Sequence, residues 1–433
     1  MGGLEGLTGP FTAIEPANAA FQAQFHAAAA ERRLDGLALA CRDLLTSGAA
    51  NEFALPYAFA IAARSRLHDP AFWANPADGT PKSELLDWLD RLVELPAALN
   101  SRHNYYHEIV TGIRHYVADD DARAFRSFAL AARPPDFYRV VKDDFGGGAA
   151  FARTFPSPAE LSAARGSRFG RELDLRHAPR QPLRAVVSVS FDRIYAEAFA
   201  QGWIERLAEC GAEGVGIHLH LMFRNEADEA LIAGLVAMAA SRGVPLALSV
   251  ETGVRHARAY FASARFLRGA AILEAFRCPV LFSDADAYIT QPQAFAERHL
   301  PVILAERRVL GHLSDGPYHG YLPWRRFSAT WMTAPCDDAA IRFLGLVGDA
   351  VEYFWDQRDR NWWIDQMALQ VARTIALREG MPAGTFGSIS HALPHLMTTG
   401  EDYKIRKVSE VPRLKALLDK GINYWEALRQ IDV

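Results

Sequence analysis

The sequence predicts a two-part chain. An all-α region of helical hairpins over residues 1–180 precedes an α/β region over residues 181–433, whose mostly parallel sheet is flanked by helices. Three observations predict this. Up to about residue 145, Ala-rich and Leu-rich segments alternate with Pro, Gly, Asn and Asp punctuation. From Leu183 onward, short β-branched runs alternate with amphipathic segments, the pattern of βα units. Between them Gly146-Gly-Gly148, Pro156, Pro158, Pro179 and Pro182 mark a connecting segment, to which Phe151, Phe155 and Phe169 give partial order.

Helices are expected over roughly 17–47, 52–67, 82–96, 101–117 and 120–132. In the fourth, Tyr106, Val110, Ile113 and Val117 recur at helical spacing and form one apolar face. Asp119 and Asp120 offer an N-cap to the fifth. In the second region Arg184–Ser190 is the first strand, and a helix with Phe199, Trp203 and Leu207 on one face follows it. Gly214–Phe223 is the second strand, followed by a helix over about 227–242 that Gly243 closes. Pro245–Val250 is the third strand, and a helical stretch over 257–276 leads to a fourth, Val280–Phe282.

With 433 residues the chain is long enough for two or three domains. Its hydrophobic content of 50%, charged content of 23% and net charge of -4 are those of an ordinary globular protein, with no bias toward nucleic acid or a membrane surface. Cys41, Cys210, Cys278 and Cys336 form no Cys-x-x-Cys pair, which suggests reduced thiols and a cytoplasmic setting. No signal peptide is evident at the N-terminus, and no apolar run reaches the ~18–20 residues of a membrane span.

The fourth strand ends in two carboxylates, Asp284 and Asp286, separated by one small residue. Ligands of open α/β sheets bind beyond the carboxyl ends of the strands. Paired acids there cost desolvation unless neutralised, and a hard cation, Mn2+ or Mg2+, suits their oxygens. Such an ion can clamp the phosphates of a nucleotide. The competing reading is a turn in which the Asp side chains bond nearby N–H groups. Asp365 opens a helix whose Trp363, Met367 and Val371 form an apolar ridge and which Asn361 can cap. It either complements the helix dipole or binds sugar hydroxyls, orients an acceptor or acts as a base. Lys404 belongs either to an anion site or to a solvated basic face with Arg406 and Lys407, and Arg265 either to that site or to a surface salt bridge. His103 and His107 lie four apart, and His218 and His220 alternate along one strand face. Both pairs read as polar surface rather than metal ligands. Trp324, Trp331, Trp355, Trp362 and Trp363 read mostly as core.

The order of motifs carries a resemblance: Ser190-Phe191-Asp192-Arg-Ile-Tyr195, then Arg258-Ala-Tyr260-Phe261-Ala-Ser-Ala-Arg265, then Ser283-Asp284-Ala-Asp286, then Trp362-Trp363-Ile-Asp365-Gln366, and last His395-Leu-Met-Thr-Thr-Gly400-Glu-Asp-Tyr-Lys404. Residues 183–407 resemble the glycosyltransferase-A fold, and within it the glycogenin-like retaining glycosyltransferases. The resemblance implies a Rossmann-like catalytic domain that moves a sugar, with retention, from a nucleoside diphosphate sugar, with UDP favoured, to an unknown protein or glycan acceptor. It places Ser190, Phe191, Asp192, Tyr195, Arg258, Arg265, Ser283 and Lys404 around the nucleotide. The same resemblance implies that Asp284, Asp286 and His395 hold Mn2+ or Mg2+ (the DXD motif) and that Asp365 and Gln366 face the reacting sugar. The chain departs from the family at Phe327-Ser328-Ala329-Thr330, where Asn-Ala-Gly is usual. The spacing to His395 is longer than the family's, so His391 is a rival ligand. The helical region is then an acceptor or partner site, or a homodimer contact. Two alternatives stand beside this: a non-catalytic interaction scaffold with a decayed sugar-nucleotide domain, and a haloacid-dehalogenase-like phosphatase. The second wants Thr two residues after the second Asp, where this chain has Tyr288.

Overall fold

The computed structural model describes residues 27, 28, 30, 31, 33–47, 62–69, 81–94, 105–131, 154–255, 258–313, 320–355, 364–388, 396–398 and 401–431. His103, Asn361, Trp362, Trp363, His391 and His395 lie outside them. Two compact units form, one from Met1–Phe155 with Ser314–Arg326, the other from Pro156–Leu313 with Phe327–Val433.

The first unit is helical: α1 (Leu34–Ser47), α2 (Pro81–Val93), α3 (Tyr105–Val117) and α4 (Asp121–Ala131). The expected face of α3 is buried at Val110, Ile113 and Val117. Asp119 ends α3 in left-handed backbone with φ of 60°, and Asp120 Oδ1 accepts the Arg123 N–H at 3.1 Å to start α4. Gly112 of α3 sits under the Phe128 ring of α4, where a Cβ would clash. Arg114 Nη2 donates to Asp90 Oδ2 at 2.7 Å and ties α3 to α2. Residues 320–326 also belong to this unit, although they come from between two strands of the other. Tyr321 OH lies 2.7 Å from His68 Nε2, and the Trp324 ring packs edge-on against Phe128 at 5.0 Å.

The second unit holds an eight-stranded sheet. In chain order the strands are β1 (Leu175–His177), β2 (Ala185–Asp192), β3 (Val215–Met222), β4 (Leu246–Glu251), β5 (Val280–Ser283), β6 (Ala287–Ile289), β7 (Val309–Leu313), β8 (Phe327–Ala334), β9 (Phe386–Ser388) and β10 (Leu396–Thr398). The large sheet runs β1-β4-β3-β2-β5-β8-β7-β9, and β6 pairs separately with β10. The four strands read from sequence are parallel neighbours, whereas β1 and β8 run antiparallel to them and make the sheet mixed; β7, antiparallel to β8, returns to their direction. The Pro-rich connector becomes a helix, α5 (Pro158–Ala164), with a Ser157/Glu160 capping box, and then the edge strand β1.

The remaining helices of seven or more residues are α6 (Gln201–Cys210), α7 (Glu229–Arg242), α8 (Arg258–Leu267), α9 (Gly269–Phe276), α10 (Asp338–Trp355), α11 (Ile364–Arg378), α12 (Glu401–Ser409), α13 (Pro412–Leu418) and α14 (Tyr424–Ile431). The expected helix over 257–276 is thus two helices, broken at Arg268. Gly243 closes α7 in left-handed backbone, as its position predicts. α6 and α7 cover one sheet face, where Trp203, Ile204, Leu207, Ile232 and Leu235 pack on Val187, Val189, Ile217 and Leu219. α8 lies on β2 over the other face and packs against α10 and α11.

That second face is polar in its centre, which corrects the reading of His218 and His220 as half-exposed: they are 0% and 2% exposed. Ser188 Oγ lies 2.9 Å from His218 Nδ1, and Ser249 Oγ bridges His218 Nε2 and His220 Nδ1 at 2.8 Å each. Burial, with the neighbouring His220 and Arg268, pushes His218 down to about 3. Burial, partly offset by Glu251, pushes His220 down to about 4. Both rings are therefore neutral in the fold, while an unfolded chain protonates them near pH 6.5. Below that value the unfolded state binds more protons, so these sites remove stability as pH falls from about 6.5 toward 4. The expected slope is about 1.4 kcal/mol per pH unit for each histidine. His218→Gln should lower the measured slope of unfolding free energy by that amount; an unchanged slope would contradict the assignment.

Candidate functional site

β5 is an apolar strand, Val280, Leu281 and Phe282 being at most 1% exposed. It pairs with β2 on one side and β8 on the other, so the chain leaving it is held on both flanks. The Asp284 N–H donates to Thr330 O on β8 at 2.9 Å. The indole Nε1 of Trp203, on α6, donates to Ala285 O at 3.2 Å. The turn carrying both acids is thus fixed by its backbone, leaving the carboxylates to other partners. Asp286 immediately precedes β6, whose antiparallel pairing with β10 sets Ala287 opposite Thr398. That ladder delivers α12, and Lys404 Nζ lies 2.5 Å from Asp286 Oδ2. The same ammonium sits 5.7 Å from the centroid of the Tyr195 ring.

Asp284 is paired from the other side. Arg265, on α8, is 2% exposed, so it is a buried cation rather than a surface one. Its Nη1 donates to Ala262 O and its Nη2 to Ala329 O, each at 2.7 Å. Nη2 also lies 2.6 Å from Asp284 Oδ1 and 3.6 Å from Asp365 Oδ2. Asp365 stands in the first turn of α11, and its Oδ1 accepts the Gln366 N–H at 2.9 Å. Three carboxylates thus meet two cations, an arrangement with one negative charge over when all are ionised.

Burial pushes the Asp284 carboxyl up to about 7; Arg265 opposes this, while Asp286 and Asp365 add to it. Burial likewise raises Asp365 against the pull of Arg265. For Lys404 burial works against the charged form, but Tyr195 and Asp286 outweigh it and hold the ammonium above its ordinary range. The Tyr195 phenol is raised chiefly by burial.

The other residues singled out in the sequence are placed less directly. Phe191 is fully buried in the apolar core. Asp192 Oδ1 accepts the Tyr195 N–H at 2.7 Å and caps a single helical turn over Arg193–Tyr195. Ser190 and Ser283 are buried at 4% and 0% exposure, with hydroxyls that find no hydrogen-bond partner among the described residues. Arg258 opens α8, and Gln366 is half-buried at the start of α11. His395 directly precedes β10 but lies outside the described residues. Trp331 and Trp355 are core, as expected. Sequence reasoning missed two supports, Trp203 under Ala285 and the carbonyls of Ala329 and Thr330. The latter fall in the Phe327–Thr330 segment that departs from the glycogenin-like pattern, and they act through backbone, which no side-chain motif records.

No known protein family matches the chain, and no curated protein is similar to it in sequence. Among the described residues no helix is long and apolar enough to cross a membrane. Among solved structures, the apo form of mouse xyloside xylosyltransferase 1 is similar over 48% of this chain and 85% of its own, with a TM-score of 0.29 and 11% sequence identity.

Proposed function

We propose that this protein is a glycosyltransferase that takes a sugar from a nucleoside diphosphate sugar, UDP-linked by preference, and passes it to a protein or glycan acceptor with retention. The observation that carries this reading is the cluster Asp284–Arg265–Asp365 and Asp286–Lys404 at the end of a central parallel strand, the place where α/β sheets bind ligands. Its chemistry suits a leaving diphosphate. Arg265 is locked in place by two carbonyls and presents fixed donors where negative charge develops. Lys404 is a compact charge on a flexible stem, and its withdrawal from Asp286 toward a phosphate needs only side-chain rotation. Asp365, oriented by the Gln366 N–H, is placed to accept a hydrogen bond from a sugar or acceptor hydroxyl.

The donor set also fits a divalent ion. Each strand-end carboxylate uses one oxygen in its ion pair, Asp284 Oδ1 and Asp286 Oδ2, and both are hard oxygen ligands. Among the described residues no group of three or more His, Cys, Asp or Glu could hold a metal. Asp284 and Asp286 would therefore hold Mn2+ or Mg2+ together with phosphate oxygens, and with His395 or His391 as a further ligand. Bound there, the ion would neutralise charge on the diphosphate. The helical unit would hold the acceptor or a second copy, in a cytoplasmic protein.

The test is UDP release from UDP-glucose, UDP-galactose, UDP-xylose and UDP-N-acetylglucosamine with Mn2+. Turnover of one donor is expected, with Asp365→Asn lowering kcat by about 10²-fold or more while donor binding persists. Turnover of none by the folded wild type would sink the reading.

A further inference from the structure

We propose that Glu251, clamped by Tyr260 and Arg268, is a positioning residue that sets where Arg265 stands; this rests on the reading of Arg265 as the diphosphate's anchor. Glu251 ends β4, three strands away from β5 in the sheet order. Tyr260 OH donates to it, 2.7 Å from Oε1 and 2.9 Å from Oε2, and Arg268 Nη2 donates to Oε2 at 2.8 Å. Tyr260 is fully buried, with its ring against Phe169 at 4.8 Å and edge-on to Trp355 at 6.2 Å.

The geometry makes α8 a strut. Tyr260 fastens it on the β4 side, while Arg265, five residues on, fastens it on the side of β5 and β8 through Asp284 and Ala329 O. Three interstrand spacings are about 14 Å. Five residues of helix rise about 7.5 Å and turn by about 140°, so Tyr260 and Arg265 leave α8 on well separated sides and their long side chains cover the rest of that distance. A shift of the helix at Tyr260 is thus delivered to Arg265. The fastening at Arg265 is shared with ligand-binding acids; the one at Glu251 is not.

The polar chain behind Glu251 gives this end its rigidity. Its hydrogens have one consistent arrangement. Glu251 is a carboxylate, so His220 turns its Nε2–H edge toward Oε2 at 3.6 Å, a charge–dipole contact beyond hydrogen-bond distance. His220 Nδ1 then accepts from Ser249 O–H, Ser249 Oγ accepts from His218 Nε2–H, and His218 Nδ1 accepts from Ser188 O–H. All three bonds are donated in the direction of Glu251, and each polarises the next. Burial favours the neutral acid, but the approach of His220, the charge of Arg268 and the bond from Tyr260 outweigh it and hold Glu251 below its ordinary range.

The test measures UDP binding with Mn2+ in wild type, Tyr260→Phe and Glu251→Gln, each also in an Arg265→Lys background. Tyr260→Phe removes one hydroxyl and keeps the ring. The expected result is a Kd for UDP raised roughly 5- to 10-fold by either change alone, and by less than about 2-fold once Arg265 is replaced. A purely structural role would weaken binding equally in both backgrounds, and that outcome overturns the proposal. Hydrogen exchange of the α8 amides supplies a readout without nucleotide, with exchange at least about tenfold faster in Tyr260→Phe. If wild type binds no UDP, the functional reading fails, and unchanged α8 exchange would then overturn the strut as well.

Discussion

Replacing Arg265 with methionine is expected to cost about 3–5 kcal/mol of stability at pH 8, the usual penalty for stranding buried charges. Arg265 is the cation common to Asp284 and Asp365, at 2.6 and 3.6 Å. Without it the buried Asp365 and the partly buried Asp284 lose their common cation, and both folded-state pKa values, already raised, rise further. An acid raised above its unfolded value of ~3.9 binds protons in the fold that the unfolded chain does not. Stability then falls as pH rises through the folded value. The variant's deficit should accordingly be largest at pH 8 and shrink toward pH 5, where both carboxyls take up protons. Urea unfolding at the two pH values reads this directly. A deficit equal at both, or below about 1 kcal/mol at pH 8, would show that Arg265 is not their counter-ion.

Arg171→Met should cost about 3 kcal/mol or more, with no effect on ligand chemistry as its signature. The former connector docks on α10 through four charges. Arg171 Nη1 lies 2.6 Å from Asp349 Oδ1, and its Nε and Nη2 lie 3.0 and 2.9 Å from Glu352 Oε1. Arg165 Nη2 reaches Asp349 Oδ2 at 2.7 Å, and the Ser167 N–H donates to Glu352 Oε2 at 2.9 Å. Both acid side chains are 0% exposed, so losing Arg171 leaves Glu352 with hydrogen bonds but no cation. In an Asp349→Asn/Glu352→Gln background the same substitution should cost little, because no buried charge remains to be stranded. A full-sized loss in that background would assign the effect to packing of the Arg171 stem instead.

The central strands and the helices between them were legible because their signals are local: β-branched runs, apolar faces, and a glycine at the end of α7. Asp284 and Asp286 were legible at a strand end, Asp365 at a helix start and Lys404 as a cation of the late basic segment. What brings them together was not. Lys404 reaches Asp286 only because β10 pairs with β6, and those two strands of three residues each carry no periodicity of their own. The sequence leaves Arg265 open between the site and a surface salt bridge, because its burial depends on α8 packing on β2, α10 and α11. His218 and His220 looked solvent-facing by alternation alone. Their burial depends on α8 covering a face that the sequence marks as polar. The helical unit's claim on residues 320–326 likewise has no sequence signal, since it is a matter of where one strand connection goes.

The measurement that bears most directly on the account is calorimetric titration of UDP, GDP and CDP, with and without Mn2+, into wild type and the Asp284→Ala/Asp286→Ala variant. The account predicts metal-dependent binding of one nucleotide, UDP by preference, lost in the variant. Binding of none by a folded wild type, or binding that survives loss of both acids, would contradict it and leave Asp284 and Asp286 as the counter-ions of Arg265 and Lys404 alone.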